Sequence, residues 1–116
     1  MRADPATGTV PTDCPAADTA ARRAVAVARV RAACDLLAER GVTARVVGSL
    51  AGGRFGSGSD IDLLVTDCPR DQKYAIEGLV EDCLAGFRFD VVYLDEVPTH
   101  KVERLVRDAV DARDLR

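Results

Sequence analysis

The sequence predicts a small α/β (α+β) domain in which a mixed β-sheet carries helices mainly on one face. Three observations predict it. Apolar residues form three short strand-like runs, helical periodicity fills the segments around them, and the chain has only 116 residues. Three strands and three or four helices fit one compact domain of that length. We therefore expect the order helix, strand, glycine-rich loop, strand, helix, strand, helix.

The chain divides into an irregular start and one domain. Residues 1–17 mix Pro, Asp, Thr and Gly without periodicity, so we predict a disordered lead-in followed by a domain over 18–116. A first helix is predicted from Asp18 to Arg40, because apolar residues recur there at helical spacing and Gly41 then ends the run. Its buried stripe is expected to contain Val27, Val30, Cys34 and Leu37.

Three strands and two further helices follow. The strands are predicted over 43–47, 60–66 and 87–94. The segment 70–84 has helical spacing, and Thr99 caps a last helix whose apolar stripe we expect to pack in the core rather than bind a partner. Between Gly48 and Ser59 the chain is rich in glycine and is expected to be flexible.

Composition argues against several classes of protein. The net charge of −3 and the pI of about 5.1 lack the basic surplus that direct nucleic-acid binding usually requires. No apolar run suits a signal peptide or a membrane span, so we expect a cytoplasmic location and no membrane partner. The four cysteines lack the close pairs of a zinc site. Four early arginines are interpreted as a solvated helix face: Arg22, Arg23, Arg29 and Arg31.

The most informative segment is Asp60-Ile61-Asp62, at the start of the second strand. Alternation along a strand places Asp60 and Asp62 on one face and Ile61, Leu63 and Val65 on the other. Two adjacent carboxylates repel each other, and a divalent cation such as Mg²⁺ removes that cost. The pattern therefore predicts a metal platform. A surface strand with a polar outer face is the alternative interpretation.

Gly48 and Ser49 form a candidate phosphate site ten residues before Asp60. A glycine after a strand lets the backbone approach a ligand, and backbone N–H groups with the Ser49 hydroxyl can hold phosphate oxygens. A metal platform beside a phosphate cradle suits phosphoryl chemistry, although a plain turn is the alternative. Two other phosphate motifs fail, since Arg54 stands where a P-loop needs lysine and Ile61 where a dinucleotide fingerprint needs glycine.

Asp90 is the candidate third carboxylate. It lies alone inside the apolar strand Phe89-Asp90-Val91-Val92, where a charge is costly without a function. If this strand neighbours the Asp60 strand, Asp90 can reach the same cation and activate an attacking hydroxyl. A structural or capping aspartate is the alternative.

These segments carry a family resemblance. The stretch VVGSLAGGRFGSGSDIDLLV resembles the signature of the DNA polymerase β-like nucleotidyltransferase superfamily and is most similar to its minimal nucleotidyltransferase branch, with support from FDVVYLDEVP. The resemblance implies a nucleotidyltransferase fold, ATP as substrate and Mg²⁺ in a two-metal site. The implied metal-binding and catalytic residues are Asp60, Asp62 and Asp90. The implied nucleotide-binding residues are Gly48 and Ser49, with Arg54 and Ser59 as further candidates from the same stretch.

The resemblance also implies a partner. Members of this branch are often antitoxins of HEPN-domain ribonuclease toxins and attach AMP to a toxin tyrosine, so we expect a protein adenylyltransferase in a hetero-oligomer with such a toxin. One position departs from the pattern: Gly52 stands where the branch usually has arginine, and Arg54 would have to substitute. Two other functions stay open, a degenerate protein that neutralises its toxin by binding alone and a transferase acting on a small-molecule acceptor.

Overall fold

The computed structural model describes residues 15–56 and 58–115, with side chains from Thr19 onward. The helices are α1 (Pro15–Glu39), α2 (Gly48–Ala51), α3 (Ile76–Cys83) and α4 (Thr99–Asp108). The strands are β1 (Thr43–Val47), β2 (Ile61–Asp67) and β3 (Phe89–Tyr93). Short 3₁₀ turns lie at Arg70–Gln72, Leu94–Glu96 and Ala112–Asp114. The predicted order of elements is confirmed, and the architecture is the predicted small α+β fold.

The first helix begins three residues earlier than the predicted start at Asp18. Helix α1 begins at Pro15, inside the segment 1–17 that we expected to be disordered. The rest of that expectation concerns residues 1–14, which lie outside the described residues.

The sheet is mixed, with strand order β1-β2-β3. Strand β1 runs antiparallel to β2, whereas β3 runs parallel to β2 and is connected to it through α3. Two neighbouring parallel strands require such a crossover, because after β2 the chain must return to the end of the sheet at which β2 begins. In this register Asp62 lies opposite Val47 on one side and opposite Asp90 on the other.

The hydrophobic core lies on one face of the sheet, under α1 and α3. In β2 the alternate residues Ile61, Leu63 and Val65 are all buried in this core. The predicted stripe of α1 is confirmed, since Val27, Val30 and Leu37 are buried and Cys34 is half-buried. Among the described cysteines, Cys34, Cys68 and Cys83 are free thiols.

The arginines of α1 are not the solvated face that we predicted. The Arg22 guanidinium carbon lies 4.6 Å from the centroid of the Phe87 ring. Arg31 donates hydrogen bonds of 3.0 and 2.7 Å to the carbonyl oxygens of Ala112 and Leu115. Long aliphatic stems let a guanidinium reach such partners while its own backbone stays on the helix. These side chains therefore fasten α1 to distant parts of the chain.

The helix predicted over 70–84 is interrupted at Tyr74, which has a φ of 68°. Few non-glycine residues adopt this left-handed conformation, and it ends any helix. Two contacts with Tyr93 hold it: the Tyr74 N–H donates a 3.0 Å hydrogen bond to the Tyr93 hydroxyl, and the rings pack edge to face. Helix α3 consequently starts only at Ile76.

Helix α4 is not packed in the core as we predicted. None of its residues is buried, and Val106 remains 39% exposed. The chain after α4 is instead fixed to the outer edge of β1, where Val46 and Val110 exchange two backbone hydrogen bonds of 2.8 Å. Within the described residues, no helix is long and apolar enough to cross a membrane.

Candidate active site

Three carboxylates approach one another at one end of the sheet. The parallel pairing of β2 with β3 places Asp62 directly beside Asp90, so the strand adjacency on which the Asp90 prediction depended is present. Asp60 precedes β2 by one residue. Paired residues on neighbouring strands point to the same face. Partial burial raises the pKa of Asp62 above its usual range, and the negative charges of Asp90 and then Asp60 raise it further. The three acidic groups therefore share one electrostatic environment.

The Asp62 carboxylate lies against the backbone of Gly48. A Cβ placed on Gly48 would overlap Oδ2 of Asp62 and crowd the carboxyl carbon. Gly48 also has a φ of 75°, a conformation that strains any residue with a side chain. The sequence predicted a close approach of backbone and ligand at Gly48, and the structure adds that the same glycine makes room for Asp62.

Asp60 faces a cation that the sequence analysis missed. Its Oδ1 atom lies 3.1 Å from Nε of Arg88, and Arg88 donates a second contact of 2.9 Å to the carbonyl oxygen of Gly58. Although the Asp60 side chain is 41% exposed, its Oδ1 atom is buried and makes no hydrogen bond to any described residue. A basic residue two positions before Asp90 was the only sequence signal for this contact.

This carboxylate group fits a hard divalent cation. Its donors are all carboxylate oxygens, which Mg²⁺ prefers. One of those oxygens, Oδ1 of Asp60, is buried and has an ion pair with Arg88 but no hydrogen bond to a described residue. Burial and the charges of Asp90 and Asp60 raise the pKa of Asp62, and a bound cation would relieve the repulsion among these charges. Across residues 15–56 and 58–115, however, no three potential ligands stand ready as a metal cage. A cation would have to draw the carboxylates together on binding.

The glycine-rich stretch contains one buried aromatic residue, Phe55. Phe55 is only 3% exposed and packs near Phe87, so it anchors the middle of the stretch in the core. The Ser59 hydroxyl accepts a 2.9 Å hydrogen bond from the Gly56 N–H. Ser59 was predicted to bind nucleotide, and the structure shows its oxygen closing a turn of this loop.

Arg54 occupies the space next to Gly52. Its Nη2 atom lies 3.4 Å from the position that a Cβ on Gly52 would take. The Arg54 N–H also donates a 2.9 Å hydrogen bond to the carbonyl oxygen of Ser49, which holds the residue beside α2. The Arg54 guanidinium therefore lies next to the position that the first side-chain atom of an arginine at position 52 would occupy. Substitution of Arg54 for the motif arginine stays a prediction.

A cavity of about 700 Å³ opens between α2 and α4. Its floor includes Val47 and Gly48, and it is therefore adjacent to Asp62. Three of its lining residues are cationic: Arg54, Lys101 and Arg104. Lys101 and Arg104 were not predicted as site residues, because the periodicity of α4 does not show which of its faces borders α2.

A family model for the nucleotidyltransferase domain matches residues 28–114. The chain belongs to this nucleotidyltransferase family. A solved structure of a protein provisionally identified as a minimal nucleotidyltransferase superimposes with a TM-score of 0.58 and is 29% identical, over 78% of this chain and 89% of that one. No curated protein gives a significant match. The α+β architecture described above is thus a nucleotidyltransferase fold, and family membership supports nucleotidyl transfer as its chemistry.

The structure brings four of the seven predicted residues of this nucleotidyltransferase domain together and places the other three separately. Asp60, Asp62, Asp90 and Gly48 meet at one end of the sheet. Ser49 belongs to α2 and Arg54 to the adjoining cavity, while Ser59 is engaged in the loop itself. Their individual roles in binding metal or nucleotide stay predictions.

Proposed function

We propose that this nucleotidyltransferase domain transfers AMP from ATP to a tyrosine hydroxyl of a HEPN-type ribonuclease toxin and thereby neutralises the toxin. One observation carries the proposal. The carboxylates Asp60, Asp62 and Asp90 lie together, and Gly48 joins them to a basic cavity. Acidic groups that suit Mg²⁺ next to cations that suit phosphates are the two parts that phosphoryl transfer needs.

In the proposed reaction the tyrosine oxygen attacks the α-phosphorus of ATP. The bond from this phosphorus to the bridging oxygen of the β-phosphate breaks, and pyrophosphate leaves. Asp90 accepts the proton of the tyrosine hydroxyl. Mg²⁺ held by Asp60, Asp62 and Asp90 would supply electrostatic stabilisation of the charge that develops on the attacking and leaving oxygens. Arg54 binds the triphosphate through charge-assisted hydrogen bonds.

The exposure of Asp90 at the edge of the sheet supports a protein, and not a small molecule, as the acceptor of AMP. Asp90 is exposed and lies on β3, an edge strand of the sheet. Sites for small molecules usually enclose most of the ligand surface in a concave pocket. An exposed carboxylate at a sheet edge lets a tyrosine on the surface of another protein approach from solvent. This geometry favours a protein acceptor over an aminoglycoside-like acceptor.

The test is the intact mass of a toxin after incubation with this chain, ATP and Mg²⁺. The partner to use is a small helical protein, encoded by an adjacent gene, with an arginine and a histidine a few residues apart. We expect the toxin to gain one or more AMP units. Asp60→Asn and Asp62→Asn should abolish the gain, whereas Asp67→Asn, an exposed carboxylate at the other end of β2, should retain it. A toxin of unchanged mass with wild-type chain would contradict the proposal.

Neutralisation by binding alone is the second candidate function. The glycine at position 52, where the branch usually has arginine, favours it, because one cation of the expected triphosphate site is absent from the motif. In that case the Asp60→Asn protein would still neutralise the toxin fully, and no AMP would appear on it. Loss of neutralisation together with loss of AMP transfer would exclude this second function.

A further inference from the structure

We infer that α4 forms one wall of the nucleotide site, with Lys101 and Arg104 binding the β- and γ-phosphates of the triphosphate. The inference rests on the proposed function for the identity of the ligand. It adds two binding residues, and it gives a function to a helix that contributes no buried residue to the core.

The spacing of α4 turns one whole face toward the cavity. Lys101, Arg104, Leu105 and Asp108 are related by steps of three, four and seven residues, which share one side of a helix. All four line the cavity whose floor includes Gly48. Because Gly48 also touches the Asp62 carboxylate, the cavity lined by α4 and the acidic group share this glycine.

The charges in the cavity favour an anion. Arg54, Lys101 and Arg104 meet there with a single carboxylate, Asp108, whose side chain lies 3.5 Å from Arg107. Among the residues that the structure describes, no ion pair or hydrogen bond engages the side chain of any of these three cations. Like charges in one cavity repel each other, so a bound polyphosphate would relieve that repulsion and form charge-assisted hydrogen bonds. The chain as a whole has a net charge of −3, so the three cationic side chains in this cavity do not reflect a general excess of basic residues.

The packing leaves room for such a ligand. A volume of about 700 Å³ separates α4 from α2 and lies within the usual range for small-molecule sites. The apolar side chains of Val47, Ala51 and Leu105 line it together with the cations. A helix with few buried contacts opens readily, and a ligand that bridges it to the sheet would reduce that opening. Nucleotide binding should therefore protect the backbone amides of α4.

The same arrangement compensates for the departure at Gly52. The motif lacks an arginine at this position, and Arg54 lies beside the vacant space. Lys101 and Arg104 face the same cavity from the opposite wall. The triphosphate would thus be bound by cations from α4 as well as by the single arginine next to α2.

The experiment measures nucleotide affinity of the chain alone, with Mg²⁺ and a non-hydrolysable ATP analogue or AMP. We expect Lys101→Gln and Arg104→Gln each to weaken analogue binding by about tenfold, consistent with loss of one hydrogen bond to a charged group. AMP binding should change by less than about twofold, since AMP lacks the β- and γ-phosphates. The matched control is Arg107→Gln, which removes the same charge from the same helix outside the cavity lining. Thermal unfolding of each variant checks that the fold is retained.

Hydrogen exchange supplies a second readout. The analogue should slow exchange of the α4 amides in the wild type but not in the Lys101→Gln, Arg104→Gln double variant. If the single variants bind the analogue as tightly as Arg107→Gln does, or if α4 exchange is unaffected by it, the inference is overturned.

The outcomes separate this inference from the proposed function. AMP transfer to the toxin combined with unchanged analogue affinity in the α4 variants would reject the role of α4 and leave the reaction intact. Analogue binding that depends on Lys101 and Arg104, without any AMP on the toxin, would support the role of α4 and reject the proposed reaction. Failure of the wild type to bind the analogue at all would contradict both.

Discussion

Gly48 and Asp62 approach each other so closely that no side chain fits on Gly48. Gly48 follows β1 directly, and Asp62 lies opposite Val47 in the antiparallel pair of β1 with β2. The carboxylate therefore projects across the start of α2, where a Cβ on Gly48 would overlap Oδ2. The motif glycine thus has two reasons to be glycine, its positive φ and the acidic side chain beside it.

Replacing this glycine should disturb the acidic group more than the fold. Gly48→Ala adds a Cβ that pushes the Asp62 carboxylate aside, and displacements of about 1 Å at a reacting centre cost roughly 100-fold in rate. We expect a comparable loss of AMP transfer and a weaker rise of the melting temperature on adding Mg²⁺. The strained φ alone should cost about 1–2 kcal/mol of unfolding free energy.

Gly53→Ala is the matched control. Gly53 has a φ of 77°, almost equal to that of Gly48, but a Cβ there would meet no atom within 4 Å. The unfolding free energy of Gly53→Ala should fall by an amount similar to that of Gly48→Ala, while the rise of its melting temperature on adding Mg²⁺ is retained. Equal loss of the Mg²⁺ response in both variants would show that backbone strain, and not contact with Asp62, is the cause.

Asp62 should destabilise the metal-free protein near neutral pH. Burial, Asp90 and Asp60 raise the pKa of Asp62 above its ordinary value of 3.8, so the folded chain holds this proton more tightly than the unfolded chain does. Stability therefore falls as pH rises from about 3.8 through the raised pKa, and the penalty is fully present above it. We expect Asp62→Asn to raise the melting temperature at about pH 7 and to have little effect near pH 3.

Two controls accompany the Asp62 measurement. Asp67→Asn, which neutralises an exposed carboxylate at the other end of β2, should leave the melting temperature nearly unchanged at both pH values. Adding Mg²⁺ should stabilise the wild type and not Asp62→Asn. An Asp62→Asn protein that is less stable than wild type at neutral pH without metal would contradict the electrostatic account.

The location of the acidic group could be predicted from sequence because the relevant relationships are local. Alternation within β2 fixes the side of Asp62, and a charged residue inside the apolar run around Asp90 marks the strand that must lie next to it. Both follow from periodicity and from the cost of an unpaired charge. Pairing of Asp62 with Asp90 also depends on the parallel direction and the register of β2 and β3, which the sequence did not predict.

The position of α4, the backbone of Tyr74 and the contact of Arg22 depend on packing between distant parts of the chain, which the periodicity of a single segment does not predict. The apolar stripe of α4 predicted burial, but the helix ends near the outer edge of β1 and its charged face borders a cavity. Tyr74 adopts its positive φ because Tyr93, nineteen residues later, accepts its N–H. Arg22 reaches Phe87 across a much longer stretch of chain. No pattern within one segment contains these partners.

Arg88 should compete with a metal ion for Asp60. Its Nε atom lies 3.1 Å from Oδ1, and the Arg88 side chain is 75% exposed. Exposed ion pairs contribute about 0.2–1 kcal/mol, so release of Asp60 in Arg88→Gln should strengthen Mg²⁺ or Mn²⁺ binding by at most about fivefold. Metal affinity can be measured by calorimetry. Arg45→Gln, at an exposed position on β1, is the control and should bind metal as the wild type does. Weaker metal binding by Arg88→Gln would show that Arg88 supports the site and does not compete for it.

Phe55 should determine how well the glycine-rich stretch is placed beside the site. Its ring is buried, and the ring centroid lies 6.2 Å from that of the Phe87 ring and 5.7 Å from the Arg22 guanidinium carbon. Phe55 therefore anchors the chain between Gly53 and Gly56. Removing a buried phenylalanine side chain typically costs about 3–5 kcal/mol, so Phe55→Ala is expected to unfold readily in denaturant. Phe55→Leu retains most of the apolar volume and keeps the fold available for measurement.

We expect Phe55→Leu to weaken binding of the ATP analogue by several-fold and to increase proteolysis within residues 52–60, since the loop loses the tilted aromatic contact with Phe87 at its centre. The control is Leu36→Ala on the outer side of α1, where the side chain is 39% exposed and its truncation should alter neither property. Unchanged affinity and cleavage in Phe55→Leu would mean that the hydrogen bonds of Ser59 with Gly56 and of Arg54 with Ser49 are sufficient to place the loop. Both hydrogen bonds use backbone groups, one before and one after Phe55. That result would therefore show that these bonds, and not the buried Phe55 ring, hold the loop in position.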